Sequence, residues 1–257
     1  MLTRRSLLMT SALAGGYAVL AGLARGAVLP PTTSGVYRYA LGEARLTALY
    51  DGIWNLPIDR RFVRNAGAAE VDRAFRVAHL KPRTLPISFT ALLVENGGKR
   101  VLIDTGTAGQ VADTAGFMNA NLAAAGIEPK DIDTILISHF HPDHIDGIKT
   151  KDGAKVFANA EIWVPEPEWA FWMDDAKMAA APDAAKPVFM NVRRIFGPIA
   201  SDVKRYEPGK EIVTGLTSIV APGHTPGHTA HMISSGGRNV MLLADTSNHP
   251  ALFVRHP

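Results

Sequence analysis

The chain has 257 residues, of which 47% are hydrophobic and 20% charged, a composition that excludes disordered, collagen-like and coiled-coil classes and gives ample length for a buried core. It contains no cysteine, so disulfide frameworks, thiolate nucleophiles and Cys-ligated zinc or iron–sulfur centres are excluded together, and any metal must sit on nitrogen and oxygen ligands. The formal charge of +3 arises in residues 1–26, where Arg4, Arg5 and Arg25 meet no acid; taking these three from the 27 basic residues leaves 24 against 24 acidic ones. No Lys/Arg run follows, so nucleic-acid or anionic-membrane binding has no electrostatic footprint.

The first stretch reads as an export signal. Arg4-Arg5-Ser6-Leu7-Leu8 precedes an apolar run of mostly small residues through Leu23, and Ala24-Arg25-Gly26-Ala27 suits a signal peptidase. The paired arginines resemble a twin-arginine signal, which implies a periplasmic location, a mature domain from residue 27 to 257 and no stable membrane insertion after removal of residues 1–26. An uncleaved anchor is the rival reading, since Ser6 to Ala24 is just long enough to span, but Gly15-Gly16 and the alanines weaken it.

Further along, Val36–Leu41 and Arg45–Tyr50 predict a hairpin around Gly42-Glu43. Ala68–Leu80 has helical spacing and stops before Pro82. A second hairpin joins Ile87–Glu95 to Arg100–Asp104 through Asn96-Gly97-Gly98, residues that tolerate positive φ. Met118–Ala125 predicts a helix capped by Gly126, and Ile132–Ile137 an apolar strand. Val156–Phe157 and Ile162–Val164 read as short strands, Glu166–Met173 and Pro187–Phe196 as helices. Leu216–Ala221, Thr229–Ser234 and Asn239–Ala244 read as strands, the last two joined by Gly236-Gly237. Strands in succession with interspersed helices indicate one mixed α/β or α+β domain.

Two histidine clusters carry the chemistry. His139-Phe140-His141-Pro142-Asp143-His144 follows the strand ending at Ile137. On extended backbone His139 and His141 project to the same side and can share one metal, while Asp143 and His144 approach from another direction once the chain turns into a helix near Asp146-Gly147. Two adjacent metal positions follow. The second cluster, Gly223-His224-Thr225-Pro226-Gly227-His228, also follows an apolar strand, and Leu242-Leu243-Ala244-Asp245 ends a third strand on an acid.

The His-x-His-x-Asp-His run, with Val101-Leu102-Ile103-Asp104-Thr105-Gly106 upstream, Gly-His-Thr-Pro-Gly-His in the middle and the late Asp245, resembles the metallo-β-lactamase superfamily. Leu41-Gly42-Glu43, Leu49-Tyr50-Asp51-Gly52 and Phe171-Trp172 are similar to its methyl parathion hydrolase and lactonase branch. The resemblance implies a four-layer αββα sandwich. It makes His139, His141 and His224 ligands of one divalent metal, Asp143 and His144 ligands of a second, and Asp245 a bridge between them. It also gives Asp104 the role of orienting a ligand imidazole through its ring N–H and leaves His228 as a packed neighbour rather than a ligand. Phe140, Trp172 and Phe189 are the expected pocket residues. The family completes its second site with a later His, beyond further strand and helix; only twelve residues follow Asp245 here, among them His249 and His256, so the domain is expected to lack its last strand and helix, the second position to be weak, and an apolar patch to stand exposed.

The activity so implied is that of a hydrolase in which metal-activated hydroxide attacks a small lactone, carboxylic ester or organophosphate ester, with Asp143 and Asp245 at the reacting centre and no Ser or Cys nucleophile. Imidazole and carboxylate ligands suit zinc, and also manganese, iron or cobalt. A β-lactamase and a metal-binding but catalytically incomplete fragment are the alternatives. The export reading predicts that protein recovered from the periplasm has an intact mass starting near residues 25 to 28; full-length protein in the inner membrane would instead show an anchor.

Overall fold

The computed structural model describes residues 35–59, 62–247 and 249–253, so the signal-like segment 1–26 and His256 lie outside the described residues. No helix among the described residues is long and apolar enough to cross a membrane.

Strands β1 (Val36–Leu41) and β2 (Ala44–Pro57) form the first hairpin. β3 (Thr84–Asn96) and β4 (Lys99–Ile103) form the second, with Gly97 and Gly98 at φ +56° and +76° making the two-residue turn. β5 (Thr134–Leu136), β6 (Glu161–Pro165) and β7 (Val203–Tyr206) then add in parallel, giving a seven-stranded sheet in chain order from β1 to β7. A smaller sheet of β8 (Glu211–Val213), β9 (Leu216–Val220), β10 (Thr229–Ser235) and β11 (Arg238–Leu242) is antiparallel throughout.

The alternation of apolar residues decides the layering. Val101, Ile103 and Leu136 face one way, toward Leu216 and Ile233 of the small sheet, and form the core between the sheets. Leu102, Ile135 and Ile137 face the other way. There they meet helices α2 (Met118–Ala124), α4 (Glu166–Trp172) and α6 (Lys186–Phe196) through Leu122, Trp172, Phe189, Val192, Ile195 and Phe196. A third, smaller cluster joins α1 (Ala68–Val77) to the far ends of β2 and β3 through Phe75, Ile58 and Leu85. The described residues thus show three layers, helix on sheet on sheet. On the small sheet Val220 and Met241 stand exposed, as does Leu243 just beyond β11.

Several elements depart from expectation. Val156–Phe157 is not a strand: Phe157 is driven into the helix-side core and the chain there makes only an isolated bridge, Lys155 with Lys149. The last strand ends at Leu242 rather than Ala244, because Ala244 turns back at φ +47° and carries Asp245 on a single 3-10 turn. Short elements escaped the pattern, among them a helix at Pro250–Phe253. β7 exposes Lys204 and Arg205 on a four-residue edge strand, β8 has three residues and α5 (Asp175–Ala180) has six, all too short for a period to register.

His231 on β10 is fully buried, and burial holds its imidazole down to about 4. Its unfolded value is near 6.5, so the neutral ring costs nothing above that pH, and stability is lost as pH falls from 6.5 toward 4 because the unfolded chain takes the proton first. Replacing His231 with Gln is expected to reduce the loss of unfolding free energy between pH 7 and pH 5 by roughly 2 kcal/mol relative to the parent, measured by urea denaturation of metal-free protein.

Candidate metal centre

The parallel pairing of β4 with β5 brings two strand ends side by side. Asp104 follows β4, Ser138 and His139 follow β5, and the Asp104 amide donates to Leu136 O across the pair at 2.9 Å. His141, with extended backbone, leads into a short helix α3 (Pro142–Ile145), whose first position is Pro142; the fixed φ of proline starts the turn that carries Asp143 and His144 away from the strand direction. Between β9 and β10 the loop Ala221–His228 delivers His224, and the Thr229 amide donates to Ser138 O at 3.0 Å, which joins the two sheets at this edge.

The six ligand residues expected from the motifs meet here. His139 Nε2 lies 3.1 Å from His141 Nδ1, and His141 Nδ1 lies 2.8 Å from His224 Nε2. His224 Nε2 is 3.3 Å from one oxygen of Asp245, and His144 Nε2 is 3.3 Å from the other and 3.1 Å from Asp143 Oδ2. Two groupings hold ligand atoms within 4.8 Å of one another: His139, His141 and His224; and His139, His144 and Asp245. His139 is common to both groupings, and Asp245, a member of the second, turns one oxygen toward His144 and the other toward His224 of the first.

Proton accounting shows what the site is built for. Asp104 accepts from the Ser138 amide at 2.8 Å, from Ser138 Oγ at 2.8 Å and from His144 Nδ1 at 2.9 Å. With its hydroxyl proton given to Asp104, Ser138 Oγ accepts from His139 Nδ1 at 3.0 Å. In the neutral His139 ring Nδ1 then carries the proton and Nε2 presents a bare lone pair; the Asp104 bond likewise keeps the His144 proton on Nδ1 whenever that ring gives up the one on Nε2. His144 Nε2 is buried and faces the carboxylate oxygens of Asp143 and Asp245 at 3.1 and 3.3 Å. Lone pairs of three imidazoles and a carboxylate converging on one space repel unless a cation occupies it, and nitrogen and oxygen donors of this kind fit a divalent metal.

The electrostatics agree for His139, His141 and His224, while His144 is held as a cation by its two carboxylate neighbours until a metal replaces its proton. Burial, reinforced by neighbouring imidazoles, holds His139 well below its ordinary value and His141 at about 4, and burial lowers His224 as well, so these rings are neutral near pH 7. Burial alone would lower His144 too, but the carboxylates of Asp143 and Asp104 outweigh it and raise the ring well above 6.5. Against burial, His144 and His224 hold Asp245 at about 2.

His228 is fully committed elsewhere: its Nδ1 donates to Ala221 O at 3.0 Å and its Nε2 accepts the Asp245 amide at 3.0 Å, so it anchors the backbone of Asp245. His249 accepts the Ala251 amide and belongs to neither ligand grouping. Of the expected pocket residues, Trp172 stands beside His141, ring centroids 6.4 Å apart. Phe140 and Phe189 are instead fully buried in the helix-side core. Phe140 alternates with the two ligands on extended backbone and so points into the core, stacked on Phe196, while Phe189 is covered by Trp172 and Phe171.

Three further residues were not legible as site residues. Ser138 orients His139. Asp51, on a β-bulge in β2, accepts N–H groups from Thr107 and Met118 and fixes the segment leading away from Asp104. Glu168, fully buried on α4, accepts the amides of Phe140 at 3.0 Å and Gly227 at 2.6 Å and the Trp172 indole N–H at 2.8 Å. Only Asp51 stands within a recognisable motif.

Residues 88–254 match the sequence profile of the Metallo-beta-lactamase superfamily. The chain belongs to that superfamily. Among solved structures it is similar to AidC, described as a dizinc quorum-quenching lactonase in complex with a product, with a TM-score of 0.75 and 30% identity, covering 81% of this chain and 73% of that one. The N-acyl homoserine lactonase of Bacillus sp is 25% identical over 198 residues, covering 69% of this chain and 71% of the lactonase. Exodeoxyribonuclease WalJ of Streptococcus pneumoniae is 30% identical over 117 residues, 44% of this chain; the chain covers only 39% of the length of that protein.

The geometry separates the two histidines of the Gly-His-Thr-Pro-Gly-His loop. If His139, His141 and His224 hold a divalent metal, His141→Ala is expected to lose it and His228→Ala to retain it; metal analysis of the purified variants checks this, and equal loss from both would show that His228 rather than His224 is the ligand of the pair.

Proposed function

We propose that this protein is a metal-dependent hydrolase of small uncharged esters, a lactone in first place and an organophosphate ester in second. The observation that carries the reading is the convergence of the neutral imidazoles of His139, His141 and His224 with the Asp245 carboxylate, whose oxygens face His224 and His144. In this reading His139, His141 and His224 hold one divalent cation, Asp143 and His144 the other, and Asp245 both. Such cations supply Lewis acidity toward a carbonyl or phosphoryl oxygen and lower the pKa of water from 15.7 to about 7. The first position, with three imidazoles, suits zinc better than the second, which has one imidazole and two carboxylates, and fills more tightly.

The protein's own groups divide the remaining work. Asp104 and Ser138 keep the Nδ1 protons of His144 and His139 on the far side of each ring. Asp245 is ionised at neutral pH, and its carboxylate oxygens, held in place by the His228 anchor on its amide, are positioned to take a proton from the attacking water and release it to the departing oxygen. The Trp172 edge beside His141 offers an apolar wall to an uncharged substrate.

AidC, named a lactonase, and the Bacillus lactonase both align over more than two thirds of this chain, whereas the nuclease match covers less than half, and this weighs the reading toward small esters. In this reading the protein acts in the periplasm, and the paired Arg4-Arg5 before an apolar run is what supports that location.

Assays on an N-acyl homoserine lactone, a phosphotriester and a penicillin, run with metal analysis, test the proposal. Lactone opening that disappears on chelation and returns with zinc is the expected result. Metal-loaded protein that opens only the penicillin would replace this reading with a β-lactamase.

A further inference from the structure

Glu168 is a fully buried carboxylate outside both histidine motifs, and its bonds reach both. Its Oε2 accepts the amide of Phe140, the residue between His139 and His141, and its Oε1 accepts the amide of Gly227, three residues after His224. The third donor is the indole N–H of Trp172, one turn further along α4 and beside His141. Among the described residues no Lys, Arg or His forms an ion pair with it. Two carboxylate oxygens thus serve three N–H donors from three separate segments that border the metal centre.

We infer that Glu168 is a positioning residue for the metal centre, setting the separation of the two histidine loops and adding a fixed negative charge behind the ligands. The inference rests on the metal reading above. The clamp is geometrically tight: a Cβ on Gly227 would lie 2.4 Å from the Glu168 amide, so the second loop is pressed directly onto α4 and only glycine permits it. Phe140 cannot swing to relieve the first contact, because its ring is locked in the core against Phe196. A buried carboxylate without a cationic side chain is costly even when hydrogen-bonded. A divalent cation held by the histidine loops that Glu168 joins would offset that cost, and the carboxylate would in turn favour its binding.

Glutamine fills the same space, removes the charge and presents an NH2 group where the carboxylate accepts an N–H, so Glu168→Gln breaks at least one of the three bonds. Gly227→Ala tests the clamp independently, since it pushes the loop off Glu168 without touching a ligand side chain or a charge. Zinc affinity is measured by competition with a chelating indicator for the parent and both variants, alongside the thermal midpoint of each metal-free protein. Tenfold or greater loss of zinc affinity in Glu168→Gln, and at least fivefold in Gly227→Ala, is expected. Lowered metal-free midpoints with zinc affinity within twofold of the parent would show a role in folding only and overturn the inference. If Glu168→Gln yields no folded protein, unchanged affinity in Gly227→Ala alone overturns it. A parent that binds no zinc overturns the metal reading and this inference together, whereas a zinc-binding parent matched by its variants overturns only the role of Glu168.

Discussion

The bond between Asp104 and the ring of His144 is the contact on which the rest of the centre depends. Asp104 sits at φ +60°, a conformation that costs a non-glycine residue of the order of 1 kcal/mol, and it does so at the end of β4 directly beside the end of β5. That placement lets a single carboxylate hold the amide and hydroxyl of Ser138 and the imidazole of His144. Thr105, the next residue, takes the backbone carbonyl of His144 with both its amide and its hydroxyl. Ring and backbone of one ligand are thereby fixed by consecutive residues, and Ser138 passes the constraint to His139.

The site edge follows from sheet topology. β4 to β7 run parallel, so their carboxyl ends lie on one side, where loops open without pairing obligations and ligand sites collect. The antiparallel small sheet reaches the same edge from the other layer, through the loop after β9 and the turn after β11. Pairing of β9, β10 and β11 sets His224 and Asp245 within 3.3 Å of each other, and because each sheet has an apolar face that must be buried, packing the two sheets together carries Asp245 to within 3.3 Å of His144. Hydrophobic layering is thus the force that assembles a cluster of mutually repelling lone pairs, and the helix-side core under Phe140 supplies the rigidity that keeps them aimed.

Buried carboxylates behind the ligands distribute the load. Asp51 holds the segment that leaves Asp104, Asp104 holds the first histidine cluster, and Glu168 joins that cluster to the second. Each accepts several N–H groups at once, the arrangement that lets a carboxylate be buried and still serve as a fixed point.

Much of this was legible in the chain itself. The apolar runs Val101–Ile103 and Ile132–Ile137, too short for helices, indicate strands, the Asn96-Gly97-Gly98 turn dictates a hairpin, and the spacing of His139, His141, Asp143 and His144 already implies two directions of approach, because extended backbone and a proline-started helix aim side chains differently. His224, Asp245 and Asp104 were legible through motif resemblance. Tertiary structure alone decided what those patterns leave open. Whether Phe140 and Phe189 face ligand or core depends on which layer covers them, and the helices α4 and α6 bury both. That His228 is an anchor rather than a ligand depends on the turn at Ala244, which brings the Asp245 amide onto its ring. Glu168 carried no local signal, since a lone glutamate on a helix reads as a solvated residue; only the packing of α4 beneath two loops, distant in sequence, supplies the three donors that make its burial possible.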